Sequence, residues 1–245
     1  MDSKFLTISQ TSQMIGVSIQ TLRRWDSLGK FPSIRKKQTG NRYYLKNDVE
    51  DYIKHNLKDL FKLAKSWVNG DKGYEPNSDF YCPNSYVFQA RLIRLENELS
   101  EVKRLGKIFP LISAIAGEIG NNSFDHNLGN WPDIQGVLFI YDLEKGEIVL
   151  ADRGQGILTT LKKARPRLTN HQDALRVAFT EVVSGRAPEH RGNGLKFVKD
   201  VVSSNKIDIF FQTGNAQLEI AKGSSNLKVK KSDINFHGCL VLIKF

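Results

Sequence analysis

The sequence predicts a two-domain α/β protein: a small basic helical domain, then a larger α/β sandwich with a mixed sheet and helices on one face. Three observations predict it. Seven of the ten net positive charges fall in the first 65 residues, where 13 Lys and Arg stand against 6 Asp and Glu. The tract Ser66–Ser85, "SWVNGDKGYEPNSDFYCPNS", is rich in Gly, Pro, Asn and Ser and reads as a linker. From Tyr86 onward helical and strand patterns alternate, with strands in hairpins and helices between them. The expected domains are therefore 1–65 and 86–245, joined by 66–85.

Composition narrows the function classes. With 40% apolar and 25% charged residues the chain has the balance of an ordinary globular protein. Two cysteines make no disulfide framework and point to a reducing compartment. The first 30 residues lack an apolar signal core, and "GVLFIY" is among the longest apolar runs, so the expectation is a cytoplasmic protein without a membrane span. The net charge of +10 favours an acidic partner such as nucleic acid.

In chain order, a first helix is expected over Ile8–Ile15, a tight turn at Gly16-Val17, and a second helix capped by Ser18 that carries Gln20, Thr21, Arg23 and Arg24. A Gly-containing basic hairpin and a further helix follow in "RKKQTGNRYYLKNDVEDYI". The "TLRRW" of Thr21–Trp25, the "GNRYY" of Gly40–Tyr44 and Asp48-Val49 together resemble the MerR/excisionase type of winged helix-turn-helix. Such a module binds double-stranded DNA. Gln20, Thr21, Arg23 and Arg24 can reach base edges in a major groove, and Arg42, with Tyr43 beside it in the wing, belongs to the phosphate-contacting set. Trp25 reads as core.

Phe88, Leu92, Leu95, Leu99 and Val102 alternate four- and three-residue steps, as on an amphipathic helix with a heptad-like seam. Either it packs on its own domain, the reading favoured here, or it forms a dimer. A helix from Ile108 to about His126 follows, then strands at Val137–Leu143 and Ile148–Ala151 with a turn at Glu144–Gly146. Two helices come next, in "DALRVAFTEVVS" and "GNGLKFVKDVVSSN", then a hairpin turning at Gly214-Asn215 and a last strand in "HGCLVLIKF".

Three motifs carry chemistry. Glu118, Asn122 and Asp125 stand at i, i+4 and i+7, so a helix presents them on one face. In "DRGQGI", Asp152, Gly154 and Gly156 follow a strand, and in "HRGNGLKFVKDV", Gly192 and Gly194 lead into a helix that continues through Leu195. Glycines let backbone approach a phosphate, and a helix N-terminus is an anion site. In order and spacing the three resemble the N, G1 and G2 boxes of the GHKL ATPase superfamily, over about Ile108 to Phe245.

That resemblance implies an ATP and Mg²⁺ site. Asn122 would ligate the metal, Glu118 would be the general base, and Asp125 would share their pocket. Asp152 would accept from the adenine amino group, Gly154 and Gly156 would shape the adenine pocket, and Gly192, Gly194 and Leu195 would form the phosphate-wrapping turn. Ile157–Arg191 would be a lid, with Ser184–Arg186 near its far end. One departure is Gly238-Cys239, where many relatives carry Gly-Thr and use the hydroxyl on adenine. His126 is either a phosphate-side contact or a plain helix-end residue, and His190 reads as a solvated lid residue. The function implied is a DNA-binding regulator, expected as a homodimer, controlled by nucleotide state. The alternatives are a protein serine kinase or a DNA-tethered ATPase. His55 lies in the basic domain and the heptad helix has no histidine, which argues against an autophosphorylating histidine kinase.

Overall fold

A computed structural model describes residues 4–15, 17–35, 40–49, 52, 60–76, 78–183 and 194–245. The chain divides into two compact units, Met1–Trp67 and Val68–Phe245.

In the first unit β1 (Phe5–Thr7) leads into α1 (Ile8–Ile15), followed by α2 (Ile19–Ser27), β2 (Ile34–Arg35) and β3 (Arg42–Leu45). A reciprocal cap starts α1. The Gln10 N–H donates to Thr7 Oγ1 at 3.3 Å, and the Thr7 N–H donates to Gln10 Oε1 at 2.9 Å. Ser18 caps α2 as expected, its Oγ accepting from the Thr21 N–H at 3.1 Å. The basic hairpin forms through antiparallel pairing of β2 with β3, and β1 adds a third strand in the order β1-β3-β2. β1 has no counterpart in the sequence pattern: three residues are too few to show a period. Gly16 and His55 lie outside the described residues. Helix α3 (Leu60–Asn69) begins in the first unit and ends just inside the second.

The second unit holds β4 (Tyr81–Cys82), α4 (Ser85–Ser100), a 3₁₀ turn at Lys103–Ile108, and α5 (Phe109–Asn127). Then come β5 (Val137–Asp142), β6 (Glu147–Asp152), α6 (Gly156–Lys162), α7 (His171–Thr180), α8 (Gly194–Ser204), β7 (Asp208–Ile220) and β8 (Lys228–Lys244). The sheet order is β4-β5-β6-β8-β7.

Four expectations change. Every described pairing in this sheet is antiparallel rather than mixed, in keeping with β5–β6 and β7–β8 being joined by short connections. Val137, Phe139, Ile148 and Leu150 face a core shared with α4, α5, α7 and α8, yet Leu138, Ile140, Val149 and Leu240 on the opposite side are also buried. The turn at Gly214-Asn215 is instead a bulge inside one continuous strand, with Gly214 at φ +53°. Apolar alternation continues past it, and β8 starts at Lys228, early enough to pair with both halves. Finally, the supposed linker Ser66–Ser85 supplies the end of α3 and all of β4, whose Tyr81 and Cys82 pair with β5.

The heptad-like seam is consumed within the chain. Phe88, Leu95 and Leu99 are fully buried on α4, and α4 packs closely on α5 because α5 presents glycines there. A Cβ on Gly120 would stand 2.1 Å from the Phe88 ring, and one on Gly117 2.9 Å from Leu92. The α4 seam thus fills this domain's own core.

Candidate functional site

In the first unit Gln20, Arg23 and Arg24 are exposed on α2, free to face a groove. Thr21 is half-buried and engaged with the Ser18 cap, its Oγ1 lying 2.9 Å from Ser18 Oγ. Tyr43 sits mid-sheet, between Thr7 and Ile34. Trp25, expected in the core, is only half-buried, its ring centroid 5.5 Å from that of Tyr52.

Arg42 is not a free wing cation. Its Nε donates to Asp26 Oδ2 at 2.7 Å, and Arg35 Nη2 donates to the same oxygen at 2.7 Å. The Ser33 N–H completes the set, donating to Asp26 Oδ1 at 2.8 Å. Asp26, at the end of α2, thereby locks the wing to that helix. Burial by itself would raise this carboxyl, but the hydrogen bonds from Ser33, Arg42 and Arg35 hold it far below the usual carboxylate range. A depressed acid stabilises the fold above its unfolded pKa and loses that contribution as pH falls toward the folded value. The wing should therefore loosen below about pH 4. Asp26→Ala should destabilise the wing by ~2 kcal/mol at neutral pH, read as faster amide exchange across β2 and β3. Exchange rates that match wild type at both pH 7 and pH 3 would refute this role.

In the second unit the three motifs meet in one cavity of about 500 Å³. Its polar wall includes Glu118, Asn122, Asp125 and His126 from α5, Asp152 from the end of β6, and Cys239 from β8. Gly156 and Ile157 open α6, Gly194 and Leu195 open α8, and Ile119, Leu161, Ala178 and Phe211 give the wall an apolar side. Asn122 Nδ2 donates to Glu118 Oε1 at 3.1 Å, which turns the amide oxygen away from the carboxylate. Asp125 is exposed at the rim. A Cβ on Gly194 would fall 1.6 Å from Glu118 Oε1, so any larger residue at the start of α8 would displace that carboxylate.

Asp152 is fully buried at the base. Gly154 N–H donates to its Oδ1 and Ser123 Oγ to its Oδ2, both at 2.8 Å. Burial pushes its pKa up, against the pull of those hydrogen bonds. Ser123 lies five residues after Glu118 on α5, a separation of ~7 Å along the axis. Burial also pushes the Cys239 thiol well above its ordinary range, with the Asp152 charge adding to the effect, so it stays protonated. The hydroxyl missing at Cys239 has a neighbour in Thr213, which is buried on β7 opposite Cys239 and donates to the Gly238 carbonyl at 2.9 Å. Burial, and then Lys163, lower the His126 pKa and favour the neutral imidazole.

Several supporting residues escaped sequence reading. Asn127 ends α5 by donating to the Ser123 carbonyl and accepting from the Gln155 N–H, each at 2.7 Å. Gly154 lies so close to it that a Cβ would stand 2.1 Å from Asn127 Nδ2. Gly156, at φ +74°, turns the chain into α6. Arg153 points away from this network and is 3% exposed. Its Nε and Nη2 donate to Asp133 Oδ2 at 2.8 and 2.6 Å, and its Nη1 donates to the Val68 carbonyl at 3.2 Å. Tyr74 is half-buried nearby, and desolvation pushes its hydroxyl up to about 12. An Asn-Leu-Gly after an apolar helix is a capping signal that could have revealed Asn127. The Arg153–Asp133 partnership has no local signature.

The expected lid is only partly a loop. From Ile157 to Val183 the chain folds as α6 and α7, with Leu175 and Phe179 in the core. Gly192, Ser184–Arg186, His190 and Arg191 lie outside the described residues.

The first unit, a helix-turn-helix with a two-stranded basic wing, defines a DNA-binding module. Residues 7–44 match the family described as MerR family regulatory protein, so this part of the chain is a MerR-type helix-turn-helix with a DNA-binding regulatory role. No curated protein matches the chain. A solved structure titled "Crystal Structure of N terminal domain of a DNA repair protein" aligns with 14% identity and a TM-score of 0.31. The alignment covers 66% of this chain and 42% of that one, so this chain spans less than half its length. No helix among the described residues is long and apolar enough to cross a membrane.

Proposed function

We propose that the second unit is a GHKL-type domain that binds ATP with Mg²⁺, and that its nucleotide state regulates DNA binding by the first. The observation that carries this reading is the buried Asp152 carboxylate in the same cavity as the Glu118–Asn122 pair. A volume of about 500 Å³ suits a nucleotide-sized ligand. Asp152 offers acceptor oxygens to a base amino group, and the start of α8 offers main-chain N–H groups to phosphates. The Asn122 amide oxygen accepts no hydrogen bond among the described residues and is a hard ligand suited to Mg²⁺. That ion needs few protein ligands when phosphates supply the rest, and it would neutralise charge on the phosphoryl group. Glu118 would then hold the proton of an attacking water or hydroxyl.

Regulation is supported by the chain's own connectivity. Arg153, between Asp152 and Gly154, donates to the carbonyl of Val68 in α3, the helix that begins in the DNA-binding unit. A shift of the Asp152 loop on binding would reach that helix directly, and a coupling of ~1–3 kcal/mol is the usual size for such linkage. Two copies would be needed to read a two-fold site. With the α4 seam used internally, a dimer contact must involve another surface.

The test is titration with ATP and Mg²⁺. Wild type should bind, and Asp152→Ala should lose ~1.5–3 kcal/mol of affinity, because a buried acceptor facing the base has been removed. Equal affinity in the two proteins would remove the assigned role of Asp152, and no binding by wild type would remove the ATP reading itself.

A further inference from the structure

A second cavity of about 700 Å³ lies elsewhere on the second unit and shares no residue with the first. It opens where the start of α7 meets the far half of the β7–β8 hairpin. That half projects past the rest of the sheet, since β6 pairs with β8 only from Cys239 to Lys244. The bulge at Gly214 shapes the opening. A Cβ there would stand 2.3 Å from the His171 ring, so glycine allows His171 to lie across the strand and meet Asn215, with Nδ1 2.8 Å from Asn215 Oδ1.

The wall is polar and cationic. Arg176, Lys230 and Lys231 line it with His171 and Asn215, and no carboxylate belongs to the lining. The nearest acids are already matched: Glu219 pairs with Lys230 at 2.7 Å, and Asp173 with Arg176 at 3.5 Å. Both pairs are exposed, so each contributes little and can be exchanged for another anion. Lys231 has no ion pair among the described residues, and Lys222 and Lys228 extend the positive surface toward the hairpin tip. Asp233 is the one further exposed acid on this part of β8 among the described residues.

We propose that this groove is a second nucleic-acid contact, taking backbone phosphates of the duplex that the same chain engages through its helix-turn-helix. An open polar groove with amide, imidazole and cationic donors suits phosphate oxygens, and it does not suit an apolar side chain or ring. Tethering favours DNA over other polyanions, because DNA bound by the first unit presents phosphates to the second at high effective concentration.

The experiment measures binding of full-length protein to a mixed-sequence DNA duplex several turns long, across a salt series. Arg176→Gln, Lys230→Gln and Lys231→Gln combined should shrink the magnitude of the log–log salt slope by about 0.9 for each phosphate no longer neutralised, while ATP affinity stays at its wild-type value. If the triple variant fails to fold, Lys231→Gln alone provides the same reading, with the slope smaller by about 0.9. In a background carrying Arg23→Ala and Arg24→Ala, the binding that remains should vanish when the groove is neutralised. A salt slope equal to wild type in a folded variant overturns the proposal, as does weaker binding with no change of slope.

Discussion

On the proposed ATP-binding reading, Glu118→Gln should retain nucleotide affinity and lose roughly 10²–10⁴ in turnover, the range typical of removing a general base. The argument is local. Glu118 lines the cavity, accepts from Asn122 and lies against the start of α8, where main-chain N–H groups would face phosphate. Glutamine preserves the shape and can keep the hydrogen bond with Asn122, but its amide cannot take up a proton. Affinity should therefore be retained while the chemical step suffers. The assay is phosphate release from ATP labelled on the γ-phosphate, run beside a titration for binding. Label released as phosphate identifies an ATPase, whereas label retained on protein identifies a kinase using the same carboxylate. If both proteins bind ATP with equally negligible turnover, the domain senses nucleotide without hydrolysing it.

Asp133→Ala should destabilise the second unit by ~3 kcal/mol, which makes it the largest stability effect expected here. The cause is the cation left behind more than the bond removed. Arg153 is 3% exposed and donates twice to Asp133 Oδ2, so alanine strands a buried guanidinium without its carboxylate, although the Val68 carbonyl still accepts from it. The Gly73 N–H, which donates to the same carboxylate oxygen at 3.0 Å, is orphaned as well. Asp133 itself is one-third exposed, which places the cost at the low end for breaking such a pair. Denaturant unfolding measures it. Replacing both partners, with Arg153→Met added to Asp133→Ala, should recover much of the stability, because no buried charge then remains. A cost below about 1 kcal/mol for Asp133→Ala would mean that the ion pair does not hold this loop. The double variant has a second use: if it folds and binds ATP but its DNA affinity no longer responds to nucleotide, Arg153 carries the coupling.

Local signals wrote the helices and the candidate site. Ser18 and Thr7 cap helices through bonds to residues three positions on, and Glu118, Asn122 and Asp125 share a face because a helix has 3.6 residues per turn. Such interactions span a few residues and leave a pattern in the sequence. The glycines at 154, 156 and 194 were legible as places where backbone comes close, though not what it comes close to. Gly154 approaches Asn127, Gly156 makes the turn into α6, and Gly194 lies against Glu118.

What the sequence by itself determined was the basic front end, the α/β character of the rest, and the list of residues able to do chemistry. Tertiary structure alone decided that the tract after Ser66 belongs partly to the sheet, that Gly214 marks a bulge rather than a turn, and that Asp26 captures Arg42. It also decided that Arg153 is buried against Asp133. Each of these depends on partners between 7 and 85 positions apart or on the length of a distant strand. No period or spacing encodes such a partner, because chain folding, not chain neighbourhood, brings the two groups within hydrogen-bonding distance.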